Sequence, residues 1–497
     1  MGRMKKMAVI LLMILLTGCS PSQIEYEGEV SGNTFAGMEK EPVISYEMPA
    51  ASPAILINQY GYINESSKVA IFKGSEMPEE FYVVQEDTGE RVYTGYLENK
   101  GYNEKSQEYN CYGDFSGVSQ PGTYYIEAPI LGRSYSFKIG EDLYGQALNE
   151  ACRQFYYSRC GMTLTKEFAG EEAHNACHTG KARFREEAEA FDGAGGWHQT
   201  KEGSREAEWA ARNIGAMLFA YELYGEAFGD DTGIPESGNN IPDVLDEIRY
   251  ETDWLLKMQN EQTGAVYAGI TVCERDRGMG IISYVEPEDI RSSKAFAMAL
   301  AKFSYLYQDY DAEYAGLCLR AAENAWRYVK RNDTAPADSL KFAAAAELYR
   351  ASGRGSFHRI VLEYLEEGSY KDGMDEIDFL GCAAYISTSR QVELTYCAEI
   401  AEVILTKAEE ISKETRGSIY RTAGENHQKL LLDMMYLTTA DYMITNREYK
   451  NIIENHFHYF MGRNEMGINF ADTEIMRQLD MDSKLIVMLS EMAFFAK

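Results

Sequence analysis

The hydrophobic pattern changes period near residue 141, and no single layer architecture accommodates both halves. Between Ile55 and about Gly140, apolar residues alternate with polar ones in short runs such as Lys68-Val69-Ala70-Ile71-Phe72, Phe81-Tyr82-Val83-Val84 and Thr123-Tyr124-Tyr125-Ile126. Turn signals, Asp87-Thr88-Gly89 and Pro121-Gly122, separate the runs. Short strands at this spacing predict a β-sandwich over residues 53–140. From Leu143 onward the period is helical: Val244, Leu245, Ile248, Leu255 and Met258 fall on one helix face. Comparable stretches recur to the C-terminus, about a dozen in all, and predict a large all-α domain over residues 141–497. A chain of 497 residues is long enough for both domains.

The first residues read as a processing signal. Arg3, Lys5 and Lys6 precede an apolar run from Met7 to Leu16 that is too short to span a bilayer. It ends in Leu16-Thr17-Gly18-Cys19, which resembles a bacterial lipobox. The expectation is a signal peptide over 1–18 and an acylated Cys19. A tether over 19–52, rich in Ser, Glu, Gly and Pro, would follow, leaving an extracytoplasmic protein lipid-anchored to the bacterial cell membrane. A plain secretory signal with a chance cysteine is the alternative. The formal net charge of −30 argues against nucleic acid as a partner and permits a neutral, hydroxyl-rich ligand.

Several segments, in order along the chain, resemble glycoside hydrolase family 9 (cellulase-like), in the subgroup with an N-terminal immunoglobulin-like domain. They are Ile57-Asn58-Gln59-Tyr60-Gly61-Tyr62, Pro121-Gly122-Thr123-Tyr124-Tyr125, Phe155–Gly161, Ala176-Cys177-His178, Gly195-Gly196-Trp197-His198, the long run 234–259, Ala344–Arg350 and Gly462-Arg463-Asn464. The resemblance implies an (α/α)6 barrel with a sugar cleft at one end. It also implies inverting hydrolysis of β-1,4-glucans, and places Trp197 and Arg463 among the substrate-binding residues.

Cys160, Cys177, His178 and His198 make a Cys2His2 set whose donor types suit tetrahedral zinc. Read from the residues alone, a Cys160–Cys177 disulfide or unrelated buried thiols remain open. The resemblance favours a structural zinc, because some members with this domain arrangement carry one at matching positions. It also admits calcium, for which the sequence names no ligands.

An inverting glycosidase needs a carboxylate base and a carboxylic acid about 6.5–9.5 Å apart. In the family, Gly-Gly-Trp-His is followed by Asp-Ala-Gly-Asp, in which the second Asp is the base and the first helps hold the water. Here Gln199-Thr200-Lys201-Glu202 follows, so Gln199 stands at the first Asp position and Glu202 at the second. The family's His-His-Arg loop after Gly-Arg-Asn is missing. Alignment of the last helix places Met476 at the acid position, with Glu474, two residues away, the nearest carboxyl; read as residues alone, Glu474 is equally an ordinary first-turn helix carboxylate and Glu202 a solvated carboxylate in a charged loop. The expectation is a β-glucan-directed protein of this family with hydrolysis weakened or lost. A non-catalytic glycan-binding protein on the same barrel is the alternative.

Overall fold

The computed structural model describes residues 53–497 apart from 105–107, 186–189, 275–279, 425, 471–478 and 497. Cys19, Glu474 and Met476 therefore lie outside the described residues.

The N-terminal part is a β-sandwich. Its strands are β1 (Ile55–Leu56), β2 (Tyr62–Ile63), β3 (Val69–Gly74), β4 (Glu80–Gln85), β5 (Arg91–Asn103), β6 (Glu108–Asp114), β7 (Gly122–Ala128), β8 (Gly132–Arg133) and β9 (Phe137–Gly140). They follow the order β1-β3-β6-β5-β4-β7-β9-β2. The long β5 serves both layers: it pairs with β4 as far as Tyr96 and with β6 from Leu97 onward. Gly95 sits at that corner because a Cβ there would lie 2.4 Å from the Phe81 ring. Alternation places Tyr124, Ile126 and Ala128 of β7 inward, where they meet Phe72, Phe81, Phe115 and Phe137.

The remainder is an (α/α)6 barrel. Its helices are α1 (Leu143–Tyr157), the short α2 (Lys166–Ala169), α3 (Ala207–Tyr224), α4 (Asp243–Lys257), α5 (Ile290–Tyr307), α6 (Ala312–Asn332) and α7 (Ser339–Ser352). They continue with α8 (Gly355–Glu367), α9 (Glu376–Ser387), α10 (Leu394–Gly417), α11 (His427–Ile444), α12 (Arg447–Phe460) and α13 (Leu479–Ala496).

Burial separates two kinds of helix. In α5 every residue from Ser292 to Ser304 is buried, in α7 every residue from Leu340 to Arg350, and in α9 every residue from Glu376 to Tyr385. The alternate helices bury one stripe: Ala315, Cys318, Ala322, Ala325 and Val329 in α6, and Ile400, Ile404, Ala408 and Ile411 in α10. A helix buried all round has neighbours on every side, and a striped one faces solvent. So α3, α5, α7, α9, α11 and α13 form the inner ring. Small residues let these helices approach: a Cβ on Gly381 of α9 would stand 2.5 Å from the Phe342 ring of α7.

The inner helices start at the same end. Asp289, Asp338, Asp375 and Asn426 each accept the first-turn N–H of α5, α7, α9 and α11 respectively. Ion pairs then join the first turns: Arg291 of α5 to Glu208 of α3, Lys294 of α5 to Asp338, and both Arg212 of α3 and Lys484 of α13 to Glu376 of α9. That end is the mouth of the barrel. A sheet that the sequence reading did not anticipate lies there, in the order β11 (Ala190–Phe191), β10 (Ala182–Phe184), β14 (Ile281–Val285), β13 (Gly269–Glu274), β12 (Arg205–Glu206). Strand β12 runs directly into α3 and so fixes where the first inner helix begins.

The β-sandwich and barrel belong to one compact unit, Ala54–Lys497. Asn58 joins them, its Nδ2 lying 2.9 Å from His458 Nδ1, and Gln59 Nε2 donates to Gly467 O.

Candidate functional site

The site is assembled on a two-strand contact between 158–160 and 196–198. Cys160 N–H donates to Gly196 O at 2.8 Å and His198 N–H to Ser158 O at 2.8 Å, which sets Cys160 beside His198. Gly196 has φ +77°, and a Cβ on it would lie 2.7 Å from the Trp254 indole, so the Gly195-Gly196 pair is demanded by the buried ring beneath it.

Behind this contact is a buried ionic frame. Glu247 of α4 accepts from Trp197 Nε1 at 2.7 Å and from Arg159 Nε at 3.1 and 3.0 Å. Arg159 is fully buried and also meets Glu236 at 2.9 Å. Burial pushes the Glu247 carboxyl above its ordinary value even though Arg159 and Trp197 pull it down. The frame is thus held at a desolvation cost that its hydrogen bonds only partly offset.

The Cys and His donors converge. One ligand atom from each of Cys160, Cys177, His178 and His198 lies within 4.8 Å of all the others. A tetrahedral zinc with bonds of about 2.3 Å to sulfur and 2.0–2.1 Å to nitrogen separates S and N ligands by about 3.5 Å. Cys177 Sγ and His198 Nε2 are 3.4 Å apart. His178 Nδ1 is buried without a hydrogen-bond partner, and all eight described cysteines are free. These observations fit a metal ion better than a Cys160–Cys177 disulfide. The Cys160 thiol beside it, then the His178 and His198 rings, pull the Cys177 thiol below its ordinary value, while the hydrogen bond with Cys177 and burial push the Cys160 thiol up. Arg205 Nη1 donates to Cys160 Sγ at 2.8 Å and to Gly195 O at 2.7 Å, adding positive charge behind the cluster. His174 is not in the set. No second cluster of this kind, and no calcium-like group of carboxylates, is found among the described residues.

Gln199 and Glu202 lie on the turn that follows His198. Gln199 N–H donates to Ser204 O, and Gly203 N–H to Thr200 O, both at 2.9 Å. The turn rests on the Cys and His cluster: a Cβ on Gly203 would stand 2.3 Å from His178 Cε1. Gln199 is half-buried, and Glu202 is exposed at the tip.

Two expected sugar-binding residues are placed elsewhere. Trp197 is wholly buried, packed on Phe155 and bonded to Glu247, and has no face to offer a ligand. Arg463 is also buried. Its guanidinium reaches Val69 O of β3 and Asn455 of α12, which makes it a fastening between sandwich and barrel. Of the chain's four tryptophans only Trp209 retains exposure. It stands in the first turn of α3 at the mouth, where it shares a small cavity of about 30 Å³ with Arg212, Asn213 and Glu376. The sequence reading missed Trp209, Arg205 and Glu247. Glu247 falls in the long run 234–259, whose Asp and Glu residues at helical spacing were the available signal.

The glycosyl hydrolase family 9 family model matches residues 144–471, and that of the cellulase N-terminal ig-like domain matches residues 50–133. The chain belongs to glycosyl hydrolase family 9. Among curated relatives, a cellodextrinase of Butyrivibrio fibrisolvens is 29% identical over 477 residues, covering 84% of each chain. A metagenome-derived family 9 endoglucanase superposes with a TM-score of 0.78 at 22% identity, covering 88% of this chain and 98% of its own. A zinc-binding triple mutant of a family 9 endoglucanase superposes with a TM-score of 0.69 at 24% identity, covering 82% of this chain and 83% of its own.

Proposed function

We propose that this family 9 protein engages β-1,4-glucan chains at the outer face of a bacterial cell membrane and binds them better than it hydrolyses them. The substrate class is supported by family membership and by the cellodextrinase and endoglucanase named among its relatives. The observation that carries the second half is the content of the turn at the barrel mouth. Gln199, half-buried at its start, is neutral, and Glu202 at its tip is the turn's one carboxylate.

A glutamine amide can orient a water through its oxygen but cannot take the water's proton. Glu202 can take it, from a side chain one methylene longer than aspartate, and a misplacement of about 1 Å can cost on the order of 10²-fold. Glu474 is the proposed acid for whatever hydrolysis remains. Loss of a general acid or base costs about 10²–10⁴-fold. Trp209 is the aromatic face at the mouth on which a sugar ring would stack.

Cys160, Cys177, His178 and His198 would hold a zinc ion. Four protein ligands fill a tetrahedral shell, so the ion's contribution is structural. With such an ion bound, Cys177-His178 and His198 would be fixed together, and the 199–204 turn, which packs on His178 through Gly203, would be held against the barrel. Acylation at Cys19 supplies the membrane anchor.

A sensitive reducing-end assay on cellohexaose tests the reading, using wild type, Glu202→Gln, Glu474→Gln and the pair Gln199→Asp with Glu202→Asp. Rates near background are expected throughout, alongside calorimetric binding of cello-oligosaccharides that Trp209→Ala weakens. Robust wild-type turnover abolished by Glu202→Gln would overturn it.

A further inference from the structure

A second cavity, of about 440 Å³ and open to solvent, lies where the β-sandwich meets the barrel. It is framed by Tyr112 of β6, the last turn of α10, the 418–421 turn and the outer face of α12. It is remote in sequence from the 199–204 turn and shares no residue with the metal cluster.

The cavity is cationic in a chain whose formal charge is −30. Arg421 and Lys100 both lie over the Tyr112 ring, at 4.6 and 4.7 Å from its centroid. Tyr112 is held in place by its own hydroxyl, which donates to Ile419 O at 2.6 Å. Lys100 and Arg416 have carboxylate partners in Glu98 and Glu448. Arg421 has none within ion-pair distance among the described residues, and its backbone is at φ +55°, where a non-glycine residue is uncommon. The field extends inward: burial, with Arg421 adding to it, pulls the Arg463 guanidinium down to about 10. Arg463 reaches the cavity wall through Asn455, whose Oδ1 it holds at 2.6 Å.

Acceptors stand next to these cations. The Glu448 carboxylate lines the cavity, as do the residues closing the C-terminal turn of α10, where helix carbonyls lack intrahelical partners. Ser412, fully buried in that turn, has an Oγ with no hydrogen-bond partner. A bare inorganic anion would satisfy Arg421 and Lys100 and could accept from the Ser412 hydroxyl, but it would meet the Glu448 carboxylate and the helix-end carbonyls unfavourably. A ligand carrying both a carboxylate and hydroxyl donors satisfies both sets, and the cavity is large enough for a sugar ring.

We propose that this junction cavity binds an acidic saccharide, with the carboxylate of a uronic acid residue on Arg421 and Lys100 and its hydroxyls directed to Glu448 and the end of α10. The site would hold a charged branch or a neighbouring acidic glycan, away from the barrel mouth. It does not depend on whether hydrolysis survives, since none of its residues touches the 199–204 turn.

Titration calorimetry of the full protein with methyl glucuronoside, methyl glucoside and inorganic phosphate tests it. Saturable binding of the glucuronoside is expected, weakening as salt is raised because the pairing is charged. Arg421→Gln and Lys100→Gln should each weaken it about tenfold, the loss typical of one charge-assisted hydrogen bond. The glucoside should show no saturation, and phosphate should bind more weakly than the glucuronoside. Phosphate binding as tightly as the glucuronoside would overturn the saccharide assignment. Unchanged glucuronoside affinity in Lys100→Gln, an exposed strand residue whose loss leaves the core intact, would overturn the site even if Arg421→Gln failed to fold.

Discussion

Glu247→Gln should destabilise the barrel and loosen the metal cluster together. Glu247 is nearly inaccessible and its carboxylate accepts from a fully buried Arg159 and from Trp197. Removing one member of a buried ion pair costs about 3–5 kcal/mol, because the remaining charge stays desolvated. Two features place this case at the low end. Glu236 still meets Arg159 at 2.9 Å, and the glutamine oxygen can still accept from Trp197. The expected loss is therefore about 3 kcal/mol. For a cooperative unit of roughly 440 residues, unfolding entropy scales to about 1 kcal/mol per degree, so melting should fall by about 3 °C. Arg159 and Trp197 directly precede Cys160 and His198, so a shifted frame moves two of the four proposed ligands. Thermal denaturation, with and without a zinc chelator, reads both effects. The variant should melt lower and lose its metal at a lower chelator concentration than wild type. A melting temperature within about 1 °C of wild type and unchanged metal retention would refute the reasoning.

Cys177→Ala should abolish binding of about one zinc per chain and lower the melting temperature, as elemental analysis and calorimetry would report; a metal-free wild type of equal stability would contradict the structural ion. Cys19→Ala should lose incorporation of a palmitate analogue, and persistent label would exclude acylation there. Glu491 of α13 is buried beside Asp441, and desolvation pushes its carboxyl from 4.5 up to about 8. The folded state then holds a proton that the unfolded chain releases above about pH 4.5, so this group's contribution to stability falls as pH rises from there towards about 8. Glu491→Gln should accordingly melt higher than wild type at pH 8 and show little advantage at pH 4.5; the reverse order would refute the assignment.

The division into sandwich and barrel was legible because each depends on a period that can be counted along one segment. Val244, Leu245 and Ile248 announce an outer helix by their spacing, and Tyr124 and Ile126 announce a strand by theirs. The inner helices were harder to orient, since α5 and α9 are buried on every side and carry no polar face. The mouth sheet was illegible for a different reason: β10, β11 and β12 are two or three residues long, and β10 and β12 are joined to the sheet by distant partners. The four candidate metal donors could be named because thiols and imidazoles stand at the positions where some members of the resembling family carry zinc. Their convergence could not be derived from spacing, because it depends on the pairing of Cys160 with Gly196.

Trp197 and Arg463 show why a motif does not reveal the direction in which its side chain points. Both sit in segments shared with sugar-binding enzymes, yet one supports the backbone of the site and the other fastens the two domains. In Gly195-Gly196-Trp197-His198 the glycines accommodate Trp254, Trp197 anchors to Glu247, and His198 turns toward the cysteines. The four residues together deliver the next one, Gln199, to the mouth of the barrel. The motif's physical requirement is therefore scaffolding, and a chain can meet all of it whether the residue that follows is a carboxylate or an amide. Such a chain can fold as the family does, because the partners of Arg159 and Glu247 and the four candidate metal donors are all present, while the Gln199 side chain lies outside that frame. Gln199→Asp should accordingly leave the melting temperature unchanged, and a marked loss of stability in that variant would show that the amide is part of the scaffold.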